Sequence, residues 1–171
     1  NAPVSRSDFL DGSGRMVVYG RQRSVWPYLI KYYVKRLKYS LEGRVPPAHF
    51  KIAQLRSARL FNLPSYVEVG HTPYLMRRSV FREFFERHPA AVRRQLAPKF
   101  RTLDQFLPAG LSVHAAFKSG EVELRPRVEA YLKPGMVGPG HIDKIRNERV
   151  RFGCAQSLDR FKPTDLRVFR T

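Results

Sequence analysis

Apolar residues in this chain recur first at the spacing of a helix and later at that of a strand. Within WPYLIKYYVKRLKYSLEGR, residues 26–44, Trp26, Leu29, Ile30, Tyr33, Val34, Leu37 and Leu41 form one stripe at three- and four-residue intervals. Pro27 suits a first turn, Ser24 or Trp26 can precede it as the cap, and Gly43 stands where a helix stops. The pattern predicts a helix over 25–42 with the stripe packed inward. Lys31, Lys35 and Lys38 then lie opposite the stripe, with Tyr28, Tyr32 and Tyr39 beside them and Arg36 beyond, so the outward face is both basic and aromatic.

Other elements follow from the same periods. RMVVYG, 15–20, reads as a short strand, and HFKIAQLRSARLF after Val45, Pro46 and Pro47 reads as a second, basic helix carrying Arg56 and Arg59, ended by Asn62 to Pro64. SYVEVGH, 65–71, alternates like a strand. Thr72 and Pro73 look like the cap and first position of a third helix over 74–88, in which Met76, Val80, Phe81, Phe84 and Phe85 make the buried arc and Arg78, Arg82 and Glu86 stay outside. Arg82 and Glu86 are spaced for a local ion pair. His88 and Pro89 restart a helix as far as Pro98, bearing Arg93 and Arg94.

From Leu111 the period changes to two. Leu111, Val113, Ala115 and Phe117 alternate, Ser119 and Gly120 suit a turn, and Val122, Leu124, Val128, Ala130 and Leu132 alternate again, which predicts an antiparallel hairpin over 111–132. Pro126 assigns its second arm to an edge or a bulge. KPGMVGPG, 133–140, is a glycine and proline loop, HIDKIRNERVRF with Arg146, Arg149 and Arg151 reads as a short helix, and a basic tail follows. The expected architecture is α+β: a small helical body with an antiparallel β-hairpin over 15–150, an extended N-terminal arm over 1–14 and a C-terminal tail over 151–171.

Charge changes the picture from fold to partner. Lys and Arg number 32 against 14 acidic residues, a formal charge of +18 and a pI near 10.8, beyond what solubility alone requires. The excess is spread, +6 over 1–50, +7 over 51–100 and +5 over 101–171, so no single tail accounts for it. A protein embedded in folded RNA meets phosphate from several sides, and an even spread suits that setting. Arg outnumbers Lys 23 to 9, and its planar fork suits phosphate contacts and stacking. The candidate RNA contacts are Lys31, Lys35, Arg36 and Lys38 with Tyr28, Tyr32 and Tyr39 on the first helix, Arg56 and Arg59 on the second, Arg77 and Arg78 at the third, and Arg93, Arg94, Arg146, Arg149 and Arg151 beyond. The plain alternative for each is a solvated face.

Candidate chemistry is thin. His49, His71, His88, His114 and His141 show no zinc spacing, one cysteine, Cys154, excludes an internal disulfide, and no cofactor or metal is expected. His114 beside Glu121 and Glu123 across the hairpin reads as a cross-strand surface pair rather than a proton-transfer site. Gly135, Gly138 and Gly140 lack the lysine and hydroxyl of a P-loop, so no small-molecule substrate and no enzymatic activity are expected. No apolar run reaches membrane-spanning length. A chain starting at Asn1 is what removal of a targeting segment would leave, so organellar import is allowed.

In charge, length and arm–body–tail layout the chain resembles a mitochondrial ribosomal protein. The resemblance rests on no motif and transfers no residue role. It implies a structural, RNA-binding component of the mitochondrial ribosome in the matrix, in contact with ribosomal RNA and neighbouring ribosomal proteins. The alternative is a matrix-side accessory subunit of a mitochondrial inner-membrane complex, ATP synthase or respiratory chain, meeting anionic lipid or acidic neighbours.

Overall fold

A computed structural model describes residues 4–47, 49–99, 101–126, 129–132, 134, 152–155 and 160. Its centre is β1 (Met16–Ser24), whose first five residues are all buried, as a strand covered on both faces requires. That half pairs in parallel with β3 (Val122–Arg125), Met16 opposite Val122 and Tyr19 opposite Arg125. The second half pairs antiparallel with β2 (Ser65–Val69), Gly20 opposite Val69 and Ser24 opposite Ser65. Gly20 sits where the pairing changes sides, and a Cβ there would stand 2.7 Å from the Glu68 carbonyl oxygen, so only glycine lets the two strands approach. A separate parallel pair joins β4 (Glu129–Leu132) to β5 (Phe152–Ala155).

Helices α1 (Trp26–Leu41), α2 (Phe50–Arg59), α3 (Arg78–Arg87), α4 (Pro89–Leu96) and α5 (Pro108–Lys118) complete the α+β body. Met16, Val18, Val67 and Val69 pack on Val113 and Ala116 of α5. The opposite side chains, Val17 and Tyr19, meet Phe152 and Phe9. Phe9 belongs to the segment expected to be an arm. From Ser5 that segment folds back on β1 instead: the Phe9 carbonyl accepts from the Val17 amide at 2.8 Å, and the Tyr19 hydroxyl donates to buried Asp8 at 3.3 Å.

Three expectations require correction. The hairpin over 111–132 is a helix followed by a strand: Pro108 occupies the first turn of α5, Ser119 ends it, and Gly120 turns at φ 74° into β3, which pairs with β1 rather than with residues 111–117. Residues 110–114 are all buried, and a short run buried nearly all round carries no usable period. Second, α3 starts at Arg78 rather than at Pro73. The Tyr74 hydroxyl is drawn to the Gly70 carbonyl and the Arg77 amide donates to Ser112 Oγ at 2.9 Å, which holds the intervening chain non-helical. In that region Phe84 is buried while Met76 and Phe85 are exposed, and the local ion pair is Arg87 with Glu83 at 2.7 Å.

The third correction concerns α1, whose bounds agree but whose buried face does not. Leu29 and Tyr32 point inward, whereas Trp26, Ile30, Tyr33, Val34, Leu37 and Leu41 are exposed. The face is turned by roughly 120° from the apolar stripe, at about 100° per residue. Polar anchoring selects it: the Tyr32 hydroxyl donates to Asp104 at 2.6 Å, and the Tyr28 ring meets Tyr66 edge-on at 5.5 Å. The glycine-rich loop over 133–140 apart from Pro134, the expected helix from 141 to 151 and most of the tail lie outside the described residues, while Phe152–Ala155, expected at the start of the tail, form β5.

His114, expected on a surface hairpin, is 1% exposed on α5. Its Nδ1 donates to the Gly110 carbonyl at 2.8 Å, which leaves Nε2 to accept from the Val67 amide at 3.0 Å. Burial pushes its pKa down to about 4, against the opposite pull of the Gly110 carbonyl. The unfolded chain therefore binds a proton near pH 6.5 that the folded chain refuses. The stabilisation is complete above that pH and drains away as pH falls towards 4, by about 3 kcal/mol. Urea midpoints measured from pH 7 down to pH 4 should fall with that slope in the native chain, and His114→Gln should lose this part of the pH dependence.

Candidate nucleic-acid interface

The candidate basic residues divide into those held by carboxylates and those left to solvent. Arg36 and Arg56 converge on Asp104, at 3.2 and 3.7 Å, and both donate to the Tyr32 hydroxyl, at 2.9 and 3.0 Å. Tyr32 is 4% exposed, so it is a core anchor and not a stacking platform, and burial with the Asp104 contact raises its pKa. Arg77 is paired with Glu121. No described carboxylate pairs with Lys31, Lys35, Lys38, Arg59, Arg78, Arg93 or Arg94. Arg146, Arg149 and Arg151 lie outside the described residues.

One contiguous positive region forms around β2. Glu68, its side chain 2% exposed, is approached by Lys51 at 2.9 Å, Arg23 at 3.2 Å and Arg21 at 3.8 Å. Three cations on one carboxylate leave a positive excess at a fixed place. A carboxylate this deep is tolerated only because it is paired and hydrogen-bonded.

Lys51 links this cluster to α1. Its ammonium lies 5.8 Å from the centre of the Tyr28 ring, and Lys35 lies 5.9 Å from that of Tyr39, which Arg44 also covers at 5.2 Å. Half-buried His49 stands among these groups, and its pKa is lowered first by burial and then by Lys35, Lys31 and Lys51. Arg21, Arg23, Lys51, Lys31, Lys35 and Arg44 thus make an arc, of which Lys51, Lys35 and Arg44 lie over the Tyr28 and Tyr39 rings. Electrostatically it attracts a polyanion, and the rings give it apolar floor between the charges.

Arg21, Arg23, Arg44 and Lys51 were outside the sequence-based set of contacts. A signal existed for Lys51, which follows Phe50 in the basic second helix, but its meeting with Glu68 and Tyr28 is tertiary. Of the predicted set, the fold brings Lys31, Lys35 and Tyr28 into the arc, with Lys38 and Tyr39 continuing it along α1. Arg93 and Arg94 sit apart on α4, and Arg78 opens α3.

A cleft of about 700 Å³ between α3 and α5 is lined by charged side chains that pair with one another, Arg77 with Glu121 and Arg87 with Glu83. Among the described residues no three His, Cys, Asp or Glu side chains gather as metal ligands, and no helix is long and apolar enough to cross a membrane.

The position of His49 supplies a direct test of the arc. Changing Lys31 and Lys35 together to glutamate should raise the His49 pKa, because two repelling charges become attracting ones. A proton NMR titration of the imidazole reads this shift, and an unchanged midpoint would separate these lysines from His49.

Comparison with protein-family models, curated proteins and solved structures finds no match to this chain, so its reading rests on the residues described above.

Proposed function

We propose that this protein is a structural RNA-binding component of a mitochondrial ribosome, which stabilises ribosomal RNA and adjoining ribosomal proteins from the matrix. The observation that carries the reading is the basic arc, where cations of β1, α1 and α2 are fixed around the buried Glu68 carboxylate and over the Tyr28 and Tyr39 rings. Phosphate contact needs positive charge held at defined places, and stacked or cation-covered rings suit unpaired bases. The total charge of +18 extends the same attraction over the rest of the chain.

One observation favours the alternative of an accessory subunit at the mitochondrial inner membrane. The exposed apolar row of α1, bordered by lysines, is a pattern also used at lipid surfaces. Sedimentation of the tagged protein from gently lysed mitochondria, with and without nuclease, separates the two. Co-migration with ribosomal RNA that is lost after nuclease supports the ribosomal reading; nuclease-insensitive migration with a detergent-solubilised membrane complex rejects it.

In vitro, Lys31, Lys35 and Lys38 changed together to glutamate should weaken binding to single-stranded RNA by tenfold or more, an order-of-magnitude expectation for lost phosphate contacts, and flatten the salt dependence by about two log units per log salt. Urea stability should change little, since no described carboxylate pairs with these lysines. Equal losses of folding and binding would reject the assignment.

A further inference from the structure

The apolar residues that α1 leaves bare are ordered along the helix. Trp26, Ile30, Tyr33, Val34, Leu37 and Leu41 follow one another at one-, three- and four-residue steps, and each is between 59% and 80% exposed. The row runs the length of a helix of about 24 Å. A continuous apolar strip on an otherwise strongly charged body marks a surface that something covers.

Its borders identify the chemistry of the cover. Lys38 and Lys31 flank one side, about 40° and 60° round the helix from Val34, with Lys35 farther round. On the other, Tyr33 leads into a cavity of about 270 Å³ between α1 and α2, with Leu60 and Phe106 in its wall and Arg56 and Arg59 at its margin. Arg36 stands beside Val34 and Leu37 on the same side. Arg36 and Arg56 share the single carboxylate of Asp104, so this border also keeps a positive excess. The surface is therefore apolar along its centre, basic on both edges and hollow at one point.

We propose that this face of α1 is a docking site for an amphipathic helix of a partner protein, whose own apolar row is flanked on both sides by Asp and Glu. Such a helix covers Ile30, Val34, Leu37 and Leu41, places carboxylates against both basic edges and inserts one large apolar side chain beside Tyr33. Nucleic acid fits less well, because a sugar–phosphate strand offers these aliphatic side chains nothing to pack on. A bilayer is broad and fluid and gives no reason for a cavity of side-chain size. A second copy of this chain would bring its own basic edges against those of the first. The inference goes beyond the ribosomal reading and does not need it, since either assembly can supply an acidic helix.

Trp26 is the chain's single tryptophan and lies in the row, which makes it a built-in reporter. The full chain is titrated with a synthetic helical peptide bearing a leucine row flanked by glutamates, with the same peptide flanked by lysines, with poly(U), and with phosphatidylglycerol vesicles. The glutamate-flanked peptide should move Trp26 emission to shorter wavelength, saturably, and shield it from acrylamide. Val34→Asp with Leu37→Asp should weaken that binding by about tenfold or more without lowering the thermal midpoint, because both side chains are exposed in the free protein. Charge reversal at Lys31, Lys35 and Lys38 should weaken the glutamate-flanked peptide and favour the lysine-flanked one. Failure of the glutamate-flanked peptide to bind, indifference to the sign of its flanks, or a Trp26 shift produced by vesicles, poly(U) or self-association instead would overturn the proposal. Poly(U) binding with Trp26 unchanged would leave the docking site standing and locate RNA on the adjoining basic arc, which shares Lys31 and Lys35 with this border.

Discussion

The free edge of β2 is the constraint on which the rest of the structure turns. Only one side of that strand pairs with β1, and an unpaired row of peptide groups inside a domain is costly. Two side chains take the place of a missing strand: Gln54 of α2 donates to the Val69 carbonyl at 3.1 Å and accepts from the Val69 amide at 2.9 Å, and His114 of α5 accepts from the Val67 amide. Both residues are buried, so α2 and α5 cannot slide along the sheet without abandoning these bonds. Gly110 lets the two helices close up, since a Cβ there would stand 2.5 Å from Ser57 Oγ. Ser57 in turn accepts from the Leu107 amide at 3.1 Å, fixing where α5 begins.

With α2 fixed, the polar anchors around it determine how α1 lies. Tyr28 reaches Tyr66 of β2, and Tyr32 reaches Asp104, where Arg36 and Arg56 join it. These contacts use the tyrosine side of α1, which turns the aliphatic side away from the body. The domain core is already filled by smaller clusters, Leu29 with Leu55, Ala58 and Tyr66 among them, and takes in only two residues of this helix completely. The result largely reverses the usual amphipathic arrangement: the Tyr32 hydroxyl faces the protein beside Leu29, and the aliphatic row from Ile30 to Leu41 faces solvent.

This reversal marks the limit of what could be read from the chain alone. The bounds of α1, α2 and α4, the strand at Ser65–Val69 and the α+β class were legible because propensity, proline positions and period agreed there. The α1 face was not legible, because period identifies an apolar stripe but not which neighbour is available to cover it. The segment 111–117 failed for a different reason: all but Ala115 and Phe117 of its residues are buried, and His114, which looked polar and therefore exposed, is polar because a strand edge needs an acceptor. The arc around Glu68 was hidden similarly. It is made by residues from β1, β2 and α2 whose separation in sequence reaches 47 positions, and a lone glutamate in SYVEV gives no sign that three cations will meet on it.

The acidic residues of this protein act mainly as internal fasteners, which changes the meaning of its net charge. In the described region Asp11, Glu42, Glu68, Glu83, Asp104, Glu121 and Glu123 all pair with cations of the same chain. Exposed pairs of this kind add little stability each, but they remove nearly every negative charge that could weaken the outward field. The lysines of α1 and the arginines of α4, with which no described carboxylate pairs, therefore project an almost unopposed potential. A surface built in this way distinguishes partners by what lies between its charges: tyrosine rings in the arc beside β2, and an uninterrupted aliphatic row on the outer side of α1. The two faces share the lysine row as a common border, so a polyanion on the first and an acidic helix on the second would draw on the same charges and each would alter the affinity for the other.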